Sequence, residues 1–79
     1  MKTMTCRQLG GACEEEFHAG TFEDMASQSK EHGMEMIRKG DEAHIRAMND
    51  LQSRMSSPEM MNAWFEGRRR EFEKLPKDE

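Results

Sequence analysis

Cys6 and Cys13 are the two cysteines of this chain, with six residues between them that include Leu9, Gly10 and Gly11, and His18 lies five residues beyond the second. Thiolate and imidazole are what borderline-soft metals such as zinc take in tetrahedral sets. The two other histidines are His32 and His44. The arrangement C-x6-C-x4-H-x13-H uses Cys6, Cys13, His18 and His32 as a metal-ligand set. A glycine turn can bring the thiols together, and an imidazole carried on a following helix can reach them if that helix packs against the turn. C-x2-C would be a stronger signal than C-x6-C. By spacing alone the same cysteines are equally read as small buried residues or as a reversible disulfide pair.

Other residues offer less. Met34 and Met36 follow His32 closely, and thioethers with thiolates select Cu(I). The chain has nine methionines, however, so core packing explains the pair better than copper. His44 sits in the middle of an apolar helix stripe, where a histidine is more often a hydrogen-bonded core residue than a ligand. Cys13 with His18 or His32 resembles a nucleophile dyad. No phosphate-cradling glycine loop, nucleophile elbow or oxyanion loop accompanies it. Sixteen acidic residues make adjacent carboxylates uninformative. The expectation is a binding protein, not an enzyme.

The elements that must position these residues follow from pattern. Residues 2–6 and 14–19 flank the glycine turn and predict a small β-hairpin or knuckle. Gly20 and Thr21 begin a helix, with Thr21 as N-cap and Asp24 three residues on. Phe22, Met25, Ala26, Ser29, Gly33, Met36 and Ile37 form its apolar stripe, and His32 lies at the edge of that stripe, two turns after Met25. Gly33 marks a place where the helix could break or make a tight contact, and Lys39-Gly40 ends it. Asp41 caps a second helix with His44, Met48, Leu51 and Met55 on one face. Ser57 and Pro58 start a third. Met61, Trp64, Phe65, Phe72 and Leu75 are its predicted buried face, Pro76 stops it, and residues 76–79 form a tail. The fold class is mainly α with an N-terminal β-knuckle: one domain, 1–79, with the knuckle and first helix over 1–38 and a helical hairpin over 41–75.

Composition says why such a domain wants extra support. Of 79 residues, 34% are hydrophobic and 35% charged, and the mean hydropathy is -1.04. A core of this size rarely supplies more than about 3–5 kcal/mol, and methionine specifies a core poorly. The formal net charge is -4. Arg68, Arg69 and Arg70 are the nearest thing to a basic patch and are surrounded by Glu66, Glu71 and Glu73, which argues against nucleic acid as a partner. No apolar run approaches the roughly 18–20 residues that span a bilayer, and the first residues lack the apolar core of a signal peptide. The expected compartment is the cytoplasm, where a close pair of thiols stays reduced.

The segment C-R-Q-L-G-G-A-C over residues 6–13, T-F-E-D-M over 21–25, and Glu31-His32 resemble a family of short, mostly bacterial proteins of unknown function regarded as small metal-binding proteins. The shared pattern is C-x-x-L-G-x-x-C, a threonine-led helix start eight residues on, and a histidine eleven after that. Cys6, Leu9, Gly10, Cys13, Thr21 and His32 match it over about the first 35 residues. The family pattern carries a second histidine about one turn after the first, and here Ile37 stands near that place. The resemblance implies a metal site made by Cys6, Cys13 and His32, with His18 as the first candidate for the fourth ligand and His44 as the next. The expected function is one structural zinc-like site. The alternative is a helical interaction module, with a homodimer through the amphipathic helices, whose cysteines are incidental or redox-active.

Overall fold

The computed structural model describes residues 1–77; the last two residues of the expected tail, Asp78 and Glu79, lie outside the described residues. Strands β1 (Lys2–Thr5) and β2 (Glu16–Ala19) form an antiparallel hairpin. Three helices follow: α1 (Phe22–Arg38), α2 (Glu42–Arg54) and α3 (Pro58–Lys74). The architecture is mainly helical with an N-terminal hairpin, as the pattern predicts. The register pairs Met4 with Phe17 and Thr3 with His18. Side chains alternate across a strand. Met4, Phe17 and Ala19 therefore face inward and are buried, while His18 points outward.

The strands stop short of the expected 2–6 and 14–19 because the chain leaves the ladder to build a tight loop. A 3-10 turn at Arg7–Leu9 follows Cys6, and Gly10 closes it with φ +95°, a conformation glycine adopts at no steric cost. The Cys6 N–H donates to Glu15 O at 2.8 Å, and the Arg7 N–H to Cys13 O at 2.9 Å. These bonds hold the two ends of the loop side by side.

All three expected N-caps are in place. Thr21 Oγ1 accepts from the Asp24 N–H, Asp41 Oδ1 from the His44 N–H, and Ser57 Oγ from the Met60 N–H. Helix α1 runs through Gly33 unbroken. It ends at Gly40, whose φ of +79° lets its own N–H reach Ile37 O and that of Asp41 reach Met36 O.

The core joins the hairpin, the 3-10 turn, the start of α1 and the far end of α3. Met4, Cys6, Leu9, Phe17, Ala19, Phe22, Met25 and Phe72 are buried together. Helix α3 is anchored at its C-terminal end. Lys2 Nζ donates to Phe72 O and Glu73 O, both at 3.1 Å, where a cation also complements the helix dipole. Arg69 pairs with Glu23 at 2.9 Å and lies over the Phe22 ring. The expected buried face of α3 is corrected in part: Phe72 is buried, but Met61 and Phe65 are exposed. The reason is that the three apolar stripes do not close on one another. They leave a groove of about 450 Å³ lined by Ile37, Met48, Leu51, Met55, Trp64 and Phe65. No helix among the described residues is long and apolar enough to cross a membrane.

Gly10 ties the knuckle to this groove. A Cβ there would lie 3.1 Å from Trp64 Cζ2 and 3.4 Å from the Leu51 methyl carbons. Gly10→Ala adds this crowding to a left-handed backbone that costs a non-glycine residue about 1–2 kcal/mol. Thermal unfolding of the variant is expected to show a lower Tm, by about 4–8 °C for each kcal/mol lost in a domain of this size.

Candidate metal centre

The loop between the strands delivers both thiols to one point. Cys6 is the residue where β1 turns into the 3-10 turn, and it is 2% exposed. Its sulfur lies directly over Gly11: a Cβ on that glycine would sit 2.1 Å from Cys6 Sγ and 3.0 Å from Cys6 O. Only a residue without a side chain fits under the thiol. Cys13, half-buried, returns beside it on the rising arm of the loop.

Two helices supply imidazoles to the same point. His32, on α1, places Nε2 3.2 Å from Cys13 Sγ. His44, in the first turn of α2, places Nε2 3.6 Å from Cys6 Sγ. One ligand atom from each of Cys6, Cys13, His32 and His44 lies within 4.8 Å of every other. A tetrahedral zinc, about 2.3 Å from sulfur and about 2.0 Å from nitrogen, would separate a sulfur from a nitrogen by about 3.5 Å. The donor set and its spread therefore fit such an ion. The rings are held in place by their edges: Phe17 packs against His32 with centroids 5.5 Å apart, and His32 against His44 at 5.3 Å.

His44 has a supporting partner. Asp41 Oδ1 accepts both the His44 backbone N–H at 3.0 Å and the ring Nδ1 at 2.9 Å. The N-cap of α2 thus also orients the imidazole and leaves Nε2 facing the thiols, the arrangement that carboxylates make behind metal-bound histidines. Hydrogen bonds from the His44 ring and backbone hold the Asp41 carboxyl below its ordinary range. Burial pushes the Cys6 thiol up. Hydrogen bonds from the backbone of Cys13 and Ala12 act the other way, and the neighbouring Cys13 thiol adds to the rise. A thiolate buried at this place needs a cation beside it.

Of the residues expected at the site, Cys6, Cys13 and His32 are brought together, and His18 is not. His18 lies on the outer face of β2, exposed, with Nδ1 2.9 Å from Thr3 Oγ1 across the hairpin. The fourth position belongs to His44, which sequence reasoning placed second and read foremost as a core residue. It is both: 5% exposed, hydrogen-bonded and aimed at the cluster. Two signals in the chain point to it. Phe17 and Ala19 must face inward, so His18 between them cannot, and Asp41 stands three residues before His44, where one carboxylate reaches both the N–H and the ring of the histidine. Compared with protein families, curated proteins and solved structures, the chain matches none.

Two substitutions test this geometry by titration with Co2+ or Zn2+. Gly11→Ala is expected to displace the Cys6 sulfur and abolish tight binding, whereas Gly67→Ala, with open space around the added Cβ, leaves binding intact and stabilises α3 by about 1 kcal/mol. Asp41→Asn keeps a good N-cap but removes the carboxylate behind the imidazole, and should weaken metal binding about 10–100-fold with little loss of helix.

Proposed function

We propose that this chain is a small metal-binding protein that holds one zinc-like ion through Cys6, Cys13, His32 and His44, and that the ion is structural. The observation that carries the reading is the convergence of four soft or borderline donors from three separate elements within 4.8 Å of one another. The resemblance of residues 6–13, 21–25 and 31–32 to the family of small metal-binding proteins supports it. So does the chemistry of the set: two thiols and two imidazoles make a closed four-coordinate site with no open position for a substrate. Zinc suits them better than copper, since Met34, the first of the two nearby methionines, is 52% exposed. The two cysteines are free thiols, as a reducing cytoplasm would keep them.

A structural ion also answers the thin core. Zinc contributes about 10–16 kcal/mol of apparent free energy in small peptides at neutral pH, several times what eight buried apolar residues in so small a chain supply. Because the ligands come from the knuckle, α1 and α2, the ion would brace those three elements against each other.

The protein as expressed is expected to carry one zinc per chain by elemental analysis. A strong chelator should lower its helical circular dichroism and its Tm. His44→Gln should weaken binding at least tenfold, and His18→Gln should leave it unchanged. An equal loss in the two variants, or a melting curve indifferent to the chelator, refutes the assignment. The competing reading is an interaction module that pairs with its own copy across the half-exposed groove of α1, α2 and α3. On that reading Cys6→Ser and Cys13→Ser leave the fold unchanged, and light scattering reports a dimer.

A further inference from the structure

We propose that the metal centre is redox-sensitive: a hydroperoxide joins Cys6 to Cys13 and thereby expels the ion. The inference rests on the metal reading above and adds how that site is regulated.

Three observations carry it. First, the two thiols share one loop, their sulfurs lie within 4.8 Å of each other, and the bonds from Cys6 N to Glu15 O and from Arg7 N to Cys13 O keep their backbones adjacent. Drawing the sulfurs together asks little of the strands. The movement falls on residues 10–13, outside both strands, and the Cys6 sulfur faces the bare Cα of Gly11 with no side chain in its way. Second, the thiols differ in access. Cys13 is half-buried and Cys6 is 2% exposed, so an oxidant meets Cys13 first, with Cys6 waiting behind it. Third, the imidazoles sit on α1 and α2, apart from the loop, so a disulfide removes both sulfur ligands at once and leaves two histidines that cannot hold the ion alone.

The chemistry balances. The Cys13 thiolate attacks one peroxide oxygen, the O–O bond breaks, and hydroxide leaves, giving a sulfenic acid. The Cys6 thiolate then attacks that sulfur and a second hydroxide leaves as the S–S bond forms. Two thiolates lose two electrons and one hydrogen peroxide becomes two hydroxides. A thiol reductant reverses the step.

The test uses the zinc-loaded full chain and stoichiometric hydrogen peroxide, with a chromogenic zinc chelator as reporter. Trypsin cuts after Arg7, between the two cysteines, so a disulfide ties fragment 3–7 to fragment 8–30 and mass spectrometry reads it directly. The expected result is one zinc released for each cross-link formed, with dithiothreitol and zinc restoring both the free thiols and the bound metal. Zinc retained through oxidation overturns the inference. So does zinc release with the cysteines separately over-oxidised and no cross-link, and in either case the metal site itself stands. A chain that never loads zinc overturns the site and this coupling together.

Discussion

The structure depends on how closely a thiol can approach a backbone. Cys6 Sγ occupies the space where a side chain on Gly11 would begin, and that contact lets the loop fold back far enough for Cys13 to arrive beside it. Everything else at the centre is arranged around this pair. The hairpin register buries Met4 and Phe17 under the loop, α1 packs on β2 and brings His32, and α2 returns from Gly40 with His44 in its first turn. A loop with any side chain at position 11 would have to open, and the two imidazoles would then face nothing.

The cluster also lies where so polar a chain has least apolar burial to hold α2. The buried core is concentrated at the hairpin end of the molecule, where Phe72 brings in the far end of α3. The middle of the molecule, between Ile37, Met48, Leu51 and Trp64, is a groove and not a packed interior. Apolar burial alone therefore fixes the hairpin, the start of α1 and the end of α3, but gives α2 little reason to lie where it does. Its one buried residue is a histidine. An ion shared between that histidine and the knuckle, as proposed above, would supply the missing attachment.

Much of this was legible in the sequence, and the misses have physical causes. Thr21, Asp41 and Ser57 announced the helix starts because each offers a side-chain oxygen to the free N–H groups of a first turn. The knuckle was legible from two glycines between two thiols. The fourth donor of the cluster is His44 and not His18, because strand alternation decides which residues face inward. His18 is close to Cys13 along the chain but lies between two inward residues, and period two turns it outward. His44 was read as a core histidine because its stripe is apolar. The stripe was right, but an apolar surround and a ligand role are compatible when a carboxylate fixes the ring. The face of α3 was over-read. Helical periodicity shows which residues share a side but not whether another element covers it, and Met61 and Phe65 remain exposed.

The four donors divide into two unlike pairs. Cys6 and His44 are buried, with Asp41 behind the ring; Cys13 and His32 are half-buried, and the His32 imidazole packs against the rings of Phe17 and His44. Pre-organisation is therefore concentrated on one side. A side chain held by a helix cap or a glycine-lined turn has less freedom left to lose than one in a more open place. An ion taken up here, as proposed above, would meet a fixed inner pair and a more accessible outer one. The outer pair, being the pair solvent can reach, is where any small reagent must enter.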